Sequence, residues 1–170
     1  VNSKNKRKKE FIIDEISCLG EKLSCQLLHS YFKSKNITSK CIFGDELFIT
    51  CGTPGNSYPL DISKKIINKK INLLSSKNIV PIVTGFFGSS ECGKITTFGR
   101  GGSDLTATYI GNSLNANIHL YKVECEDDDW IPGYNGIIDL DSGNTISSIS
   151  FERAMELSQT KRKVLHDLTI

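Results

Sequence analysis

Two periods organise the chain. From Ile12 to Phe32, apolar residues recur at Ile13, Ile16, Leu19, Leu23, Leu27 and Tyr31, spacings of three and four that predict an amphipathic helix. Gly20 interrupts it at a cost of up to about 1 kcal/mol against alanine, so a close backbone approach is expected there. Asn36 ends that pattern, and Lys40 to Phe43 and Leu47 to Thr50 read as short strands. Cys51 to Pro59, with two prolines and two glycines, reads as a loop. Asp61 is placed to cap a helix running to Leu74, with Ile62, Ile66, Ile71 and Leu74 inward. The run Ile79 to Thr84 predicts a strand covered on both faces, with Pro81 where no ladder donor is needed. A glycine-rich connection from Gly85 to Gly102 follows, then a helix from Asp104 to Leu114 opened by Ser103. Asn117 to Tyr121 reads as another strand, and Phe151 to Leu165 as a closing helix. This alternation predicts an α/β layer fold with a largely parallel sheet.

Composition narrows the picture without changing it. At 170 residues, with 38% apolar and 24% charged, the chain suits one domain and neither a coiled coil nor a disordered chain. No stretch approaches the roughly 18 apolar residues of a membrane span, and no signal peptide opens the chain. Opening on Val1 rather than methionine, it reads as a piece of something longer. Net charge is only +2, but Lys4, Lys6, Arg7, Lys8 and Lys9 crowd the first ten residues, and Glu124 and Glu126 to Asp129 form an acidic run. The basic residues lack interleaved aromatics, so they read as a solvated lead-in over residues 1–10 rather than a nucleic-acid arm. The six cysteines form no C-x-x-C pair, and reduced thiols in an intracellular compartment account for them. Cys18 and Cys25, seven apart, fall on one helix face. The Asn36-Ile37-Thr38 sequon carries little weight without a secretory signal.

Two glycine clusters bear on chemistry. Gly88 to Lys94 has the G-x-x-x-x-G-K spacing of a phosphate-binding P-loop. Ile95 stands where the magnesium-binding hydroxyl belongs, however, and Ile95 to Gly102 cannot begin the required helix, so the P-loop is rejected. Gly99-Arg100-Gly101-Gly102-Ser103-Asp104 is more telling. Its glycines let backbone approach a ligand, and they lead into a helix N-terminus, where unpaired amides and the dipole favour an anion. Arg100 adds a planar fork suited to carboxylate or phosphate. The plain alternative is a turn with an N-cap.

The stretch Val83 to Gly88, continued by Thr96 to Ala107, closely resembles the aspartate kinase signature of the amino-acid kinase family. Gly20-Glu21-Lys22-Leu23-Ser24 resembles that family's G-E-x-x-S helix, and Phe151 to Leu157 with Lys163-Val164-Leu165-His166 resembles its closing helix. Glutamate and UMP kinases carry different glycine loops and stand well behind. The resemblance implies a three-layer α/β/α sandwich over residues 11–170, incomplete at its N-terminus. It implies ATP- and Mg-dependent phosphorylation of the L-aspartate β-carboxylate, the first step towards lysine, threonine and methionine. By position, Arg100, Gly101, Gly102, Ser103 and Phe86 would hold aspartate and Glu21 would meet its α-amino group. Asp104 would orient the catalytic lysines, and Lys163, with Val164, Lys122 and Val123, would serve the nucleotide. Homo-oligomers, ACT regulatory domains beyond Ile170 and a cytoplasmic or plastid location are likewise implied, with no membrane or nucleic-acid partner.

Three departures fall on the nucleotide side. The family's opening strand with its K-F-G-G motif has no counterpart before Glu10. Lys122-Val123-Glu124-Cys125-Glu126 replaces its T-D-V-D-G or K-D-V-D-G segment. Thr160-Lys161-Arg162 replaces F-G-A, and Asp167 its proline after the histidine. These motivate a second reading, a non-catalytic amino-acid-binding or partner subunit with a degenerate nucleotide site.

Overall fold

A computed structural model describes residues 3–116, 150–159 and 167–169. The first helix, α1 (Ser3–Ser34), runs through the basic residues and on to the end of the predicted pattern. Strand β1 (Ser39–Ile42) follows, then a 3-10 turn (Gly44–Glu46) and the hairpin of β2 (Ile49–Thr53) and β3 (Asn56–Pro59). Helix α2 (Ile62–Ser75) leads to β4 (Val80–Val83), and a second hairpin joins β5 (Phe87–Ser90) to β6 (Ile95–Thr97). Helix α3 (Gly102–Ser113) comes next, and α4 (Phe151–Ser158) starts where the closing helix is predicted. The predicted strand 117–121 and the residues 160–166 of the closing helix lie outside the described residues.

Pairing is mixed. Strand β1 lies parallel to β4, with Cys41 opposite Ile82, and β2 lies parallel to β5. The parallel pairs are what helical crossovers require. The two antiparallel hairpins extend a second sheet in the order β3-β2-β5-β6. The sequence marks only the start of the first: the predicted strand Leu47–Thr50 overlaps β2 at Ile49 and Thr50, the loop predicted over Cys51–Pro59 holds the rest of β2 and all of β3, and the connection after Gly85 contains β5 and β6. Pro54 and Gly55 close the first hairpin, and Gly55 supplies the positive φ of 78° that the second central position of a type II turn takes. The second hairpin turns over Glu91 to Lys94, so the G-x-x-x-x-G-K spacing sits in a strand–turn–strand and not in a phosphate loop.

Three described helices end alike. Asn36, Asn78 and Asn115 take the left-handed conformation just past α1, α2 and α3, with φ of 58°, 53° and 50°. After each, two amides turn back onto the last helical turn; Ile37 and Asn36, for instance, donate to the Phe32 and Lys33 carbonyls at 2.9 and 3.1 Å. That is the Schellman arrangement, with asparagine in the place glycine usually fills.

The core gathers Ile42, Leu47, Phe48, Ile67, Ile71, Leu74, Phe98 and Leu105. The Phe48 ring meets Phe98 and Tyr109 edge-to-face at 5.6 and 5.8 Å. On α2 the inward face carries Ile67, with Ile66, Ile71 and Leu74, while Ile62 is exposed. Asp61 makes no cap hydrogen bond; its carboxylate pairs with Lys64 at 3.0 Å instead. Strand β4 is covered less than its composition implies, since Val80 is 42% exposed.

Helix α1 departs most from expectation. Its apolar stripe, Ile13, Ile16, Leu19, Leu23, Leu27 and Tyr31, is exposed throughout, and Leu27 reaches 71%. The buried seam is Asp14, Cys18 and Cys25, at zero to 4% exposure. Small side chains let the helix lie close to β1 and β4: the Cys25 thiol donates to the Ile82 carbonyl at 3.3 Å, and the Cys41 thiol to the Cys25 carbonyl at 3.2 Å. Burial pushes the Cys18 and Cys25 thiols up to about 12, so both stay protonated at neutral pH. Gly20 lies on the exposed side with nothing within 4 Å of a Cβ placed there, so no close approach occurs among the described residues. In denaturant melts of this chain, Leu27→Ser is therefore expected to change stability by no more than about 0.5 kcal/mol. Ile67→Ala should cost about 2–5 kcal/mol.

Candidate functional site

The Gly99–Asp104 segment links β6 to α3. Gly99 and Gly101 have φ of 80° and 78°, a region that disfavours any side chain. Gly101, not Ser103, is the residue at the helix N-cap, and Ser103 lies in the first turn of α3. The Gly102 and Asp104 amides donate to the Gly99 and Gly101 carbonyls at 3.1 Å, so the turn itself uses part of the donor set expected at this N-terminus. Gly102 is buried, and a Cβ there would come 3.0 Å from the Phe98 Cβ and 3.2 Å from the Phe86 Cα.

Residues Thr84 to Phe86 pass directly over this turn. A Cβ on Gly85 would stand 2.9 Å from the Ser103 Cα. Phe86 follows with φ of 79°, a conformation that costs a non-glycine residue on the order of 1–3 kcal/mol unless its surroundings hold it. They do: the Phe86 amide donates to Thr106 Oγ1 at 3.1 Å, and the Phe86 carbonyl accepts from the Phe98 amide at 2.8 Å. Thr84 ties the same segment to the 3-10 turn by accepting from the Gly44 amide at 2.7 Å. The structure thus brings together Phe86, Gly101, Gly102, Ser103 and half-buried Asp104.

Arg100 projects beside this cluster. It is exposed and, among the described residues, has no ion-pair partner. It lines an open cleft of about 640 Å³ whose other walls include Gly55, Ser57 and Tyr58 of the first hairpin, Gly99 and Leu168. Cys51 stands opposite Tyr58 across the hairpin, and its side chain raises the Tyr58 phenol above its ordinary value. The hairpin wall went unrecognised in the sequence because its strands read as a Pro/Gly loop.

Glu21 stands on α1. It is half-buried and, among the described residues, has neither a hydrogen-bond nor an ion-pair partner. The next residue, Lys22, sits over the Phe43 and Phe87 rings at 5.5 and 5.3 Å and 4.0 Å from the Asp45 carboxylate. Phe87 is the residue after Phe86, so this stacking fixes α1 against the Gly85–Phe87 segment. Lys122, Val123, Lys163 and Val164 lie outside the described residues.

A second carboxylate on α1 is more deeply placed. Asp14, 4% exposed, accepts through Oδ2 from the Thr97 amide at 2.7 Å and the Gly55 amide at 2.9 Å. Its Oδ1 accepts from the Thr97 hydroxyl at 3.1 Å. Sequence spacing gives no sign of this, because a lone aspartate in a helix ordinarily faces water.

The pattern that defines the Amino acid kinase family matches residues 2–170. The chain belongs to that family. Among its amino acid kinase relatives, aspartokinase 3 of Bacillus subtilis is 29% identical over 165 residues, covering 96% of this chain and 34% of that protein. The chloroplastic aspartokinase 2 of Arabidopsis thaliana is 30% identical over 167 residues, covering 92% and 29% respectively. The chain thus spans about a third of the length of these relatives. The structure of Escherichia coli aspartokinase III in complex with aspartate and ADP superimposes with a TM-score of 0.75 at 22% identity, over 94% of this chain and 35% of that one. At that identity the likeness concerns the fold, an α/β amino acid kinase architecture.

Proposed function

We propose that the chain forms much of the catalytic domain of an aspartate kinase, which transfers the γ-phosphoryl group of ATP to the L-aspartate β-carboxylate. The observation that carries the reading is Arg100, an exposed guanidinium on a glycine turn at the start of α3 with no ion-pair partner among the described residues, together with an acid, Glu21 on α1, that likewise has none among them. An amino acid needs both: a fork for carboxylate and an acid for ammonium. In this reading Arg100 and the backbone of Gly101, Gly102 and Ser103 hold the carboxylate end, Phe86, packed beside Gly102, meets the substrate as well, and Glu21 receives the α-ammonium. Asp104 on the first turn of α3 orients the lysines that neutralise the transferring phosphoryl group, Lys163 among them.

The residues make no covalent intermediate here. Phosphoryl transfer asks for in-line positioning and for positive charge where negative charge develops, which arginine, lysines and backbone amides supply. Magnesium would arrive on the nucleotide. A magnesium ion brought by a nucleotide is held mainly by phosphate oxygens with one or two carboxylates. Bound there, it would neutralise phosphate charge.

The second reading, an amino-acid-binding or partner subunit without catalysis, rests on the altered residues 122–126 and 160–162. Isothermal titration of the complete polypeptide separates the two. Binding of both Mg-ATP and aspartate, with acyl phosphate trapped as the hydroxamate, is the expected result. Aspartate binding without nucleotide binding or turnover establishes the second reading in its place.

A further inference from the structure

We propose that Asp14 is a positioning residue that sets the spacing between Glu21 and Arg100, the two charges that read an amino acid in the proposed function, on which this inference rests. The two lie on different elements, Glu21 on α1 and Arg100 after β6. Asp14 joins those elements. It lies on α1 seven residues before Glu21, two helical turns away on the same face. Its carboxylate takes the amide and hydroxyl of Thr97, three residues before Arg100.

The third donor extends the link to the opposite wall of the cleft. Gly55, at the tip of the first hairpin, gives its amide to the same Oδ2. The hairpin and β6 are then held twice more. Ser57 Oγ donates to the Thr97 carbonyl at 2.9 Å, and Gly99 passes so near the Gly55 carbonyl that a Cβ would stand 2.8 Å from it. Gly55, Ser57, Gly99 and Arg100 all line the cleft, so one buried carboxylate registers both walls against the helix that carries Glu21. A carboxylate this deep is costly to bury unless it is hydrogen-bonded. Three hydrogen bonds, at 2.7, 2.9 and 3.1 Å, supply that compensation and make the junction stiff. A displacement of about 1 Å between Glu21 and Arg100 is enough to cost on the order of a hundredfold in kcat/KM for aspartate.

The test compares Asp14→Ala and Asp14→Asn in the complete polypeptide. Asp14→Ala is expected to raise KM for aspartate about tenfold to a hundredfold while KM for ATP stays within roughly twofold. Amide exchange at Gly55 and Thr97 should quicken without change at Ile67 and Ile71 of the core. Asp14→Asn keeps a carbonyl oxygen for both amides and should restore aspartate KM to within about threefold. In a double-mutant cycle with Arg100→Ala, the effect of Asp14→Ala should shrink, because the group it positions is gone. Should Asp14→Ala not fold, Thr97→Val removes the Oδ1 bond alone and should raise aspartate KM by roughly threefold. Unchanged aspartate KM in Asp14→Ala, or an equal rise in both KM values, overturns the proposal. Wild-type protein that binds no aspartate overturns the functional reading and this one with it.

Discussion

Arg100→Ala in the complete polypeptide is expected to lower kcat/KM for aspartate by about 1.5–3 kcal/mol, roughly tenfold to more than a hundredfold. The size follows from what Arg100 lacks in the protein itself. It is exposed and, among the described residues, unpaired, so its removal leaves no buried group stranded and should not move the melting temperature by more than about 2 °C. The loss then falls on the substrate complex, as a charge-assisted pair with carboxylate. Arg100→Lys restores the charge but not the two parallel N–H donors, and should recover only part of the activity. An unaltered kcat/KM in Arg100→Ala would remove Arg100 from the aspartate site.

What was legible in the sequence follows how strongly each feature is marked by local chemistry. The Gly99–Asp104 turn was readable because left-handed backbone at Gly99 and Gly101 admits few residues besides glycine. Helix α2 was readable from its period, although Ile67 rather than Ile62 proved to face the core. Beyond the start of β2, which falls in the predicted strand Leu47–Thr50, the two hairpins were not readable. β2 and β3 contain Gly52 and Pro59, and β5 contains Gly88 beside two serines, so neither pair shows the alternation of apolar and polar residues that marks a strand. Gly88 is fixed by its neighbours: a Cβ there would lie 2.6 Å from the Thr50 methyl and 2.8 Å from the Phe48 carbonyl.

Helix α1 shows a deeper limit of pattern reading. Its apolar residues have helical spacing, and the helix forms, but the face they mark is the exposed one. The face that packs is chosen by size and hydrogen bonding: cysteines small enough for close approach to β1 and β4, and Asp14 for the otherwise unpaired amides of Gly55 and Thr97. Hydrophobicity reports which side chains avoid water and is silent on which backbone donors need an acceptor. The second need placed Asp14 inside.

Gly20→Ala and Gly85→Ala, the same substitution at two glycines, should have opposite outcomes. On α1, an alanine at Gly20 meets open space and gains up to about 1 kcal/mol in helix propensity. At Gly85 the added methyl would lie 2.9 Å from the Cα of Ser103, which is backbone and cannot swing aside. The Thr84–Phe86 segment must then lift from the start of α3. Phe86 carries the consequence, because its left-handed conformation is held by the bonds to Thr106 Oγ1 and the Phe98 amide. Once the segment lifts, that strain has a way to relax and the Phe86 ring leaves its place beside Gly102. Overpacking of this kind costs about 1–3 kcal/mol of stability. The effect on activity should be larger, about a hundredfold in kcat/KM for aspartate, because the wall of the pocket moves by more than the chemistry tolerates. Thermal melts and steady-state kinetics of the two variants, run side by side in the complete polypeptide, decide it. Gly85→Ala with wild-type kcat/KM would mean that the contact between this segment and α3 has no part in holding the substrate.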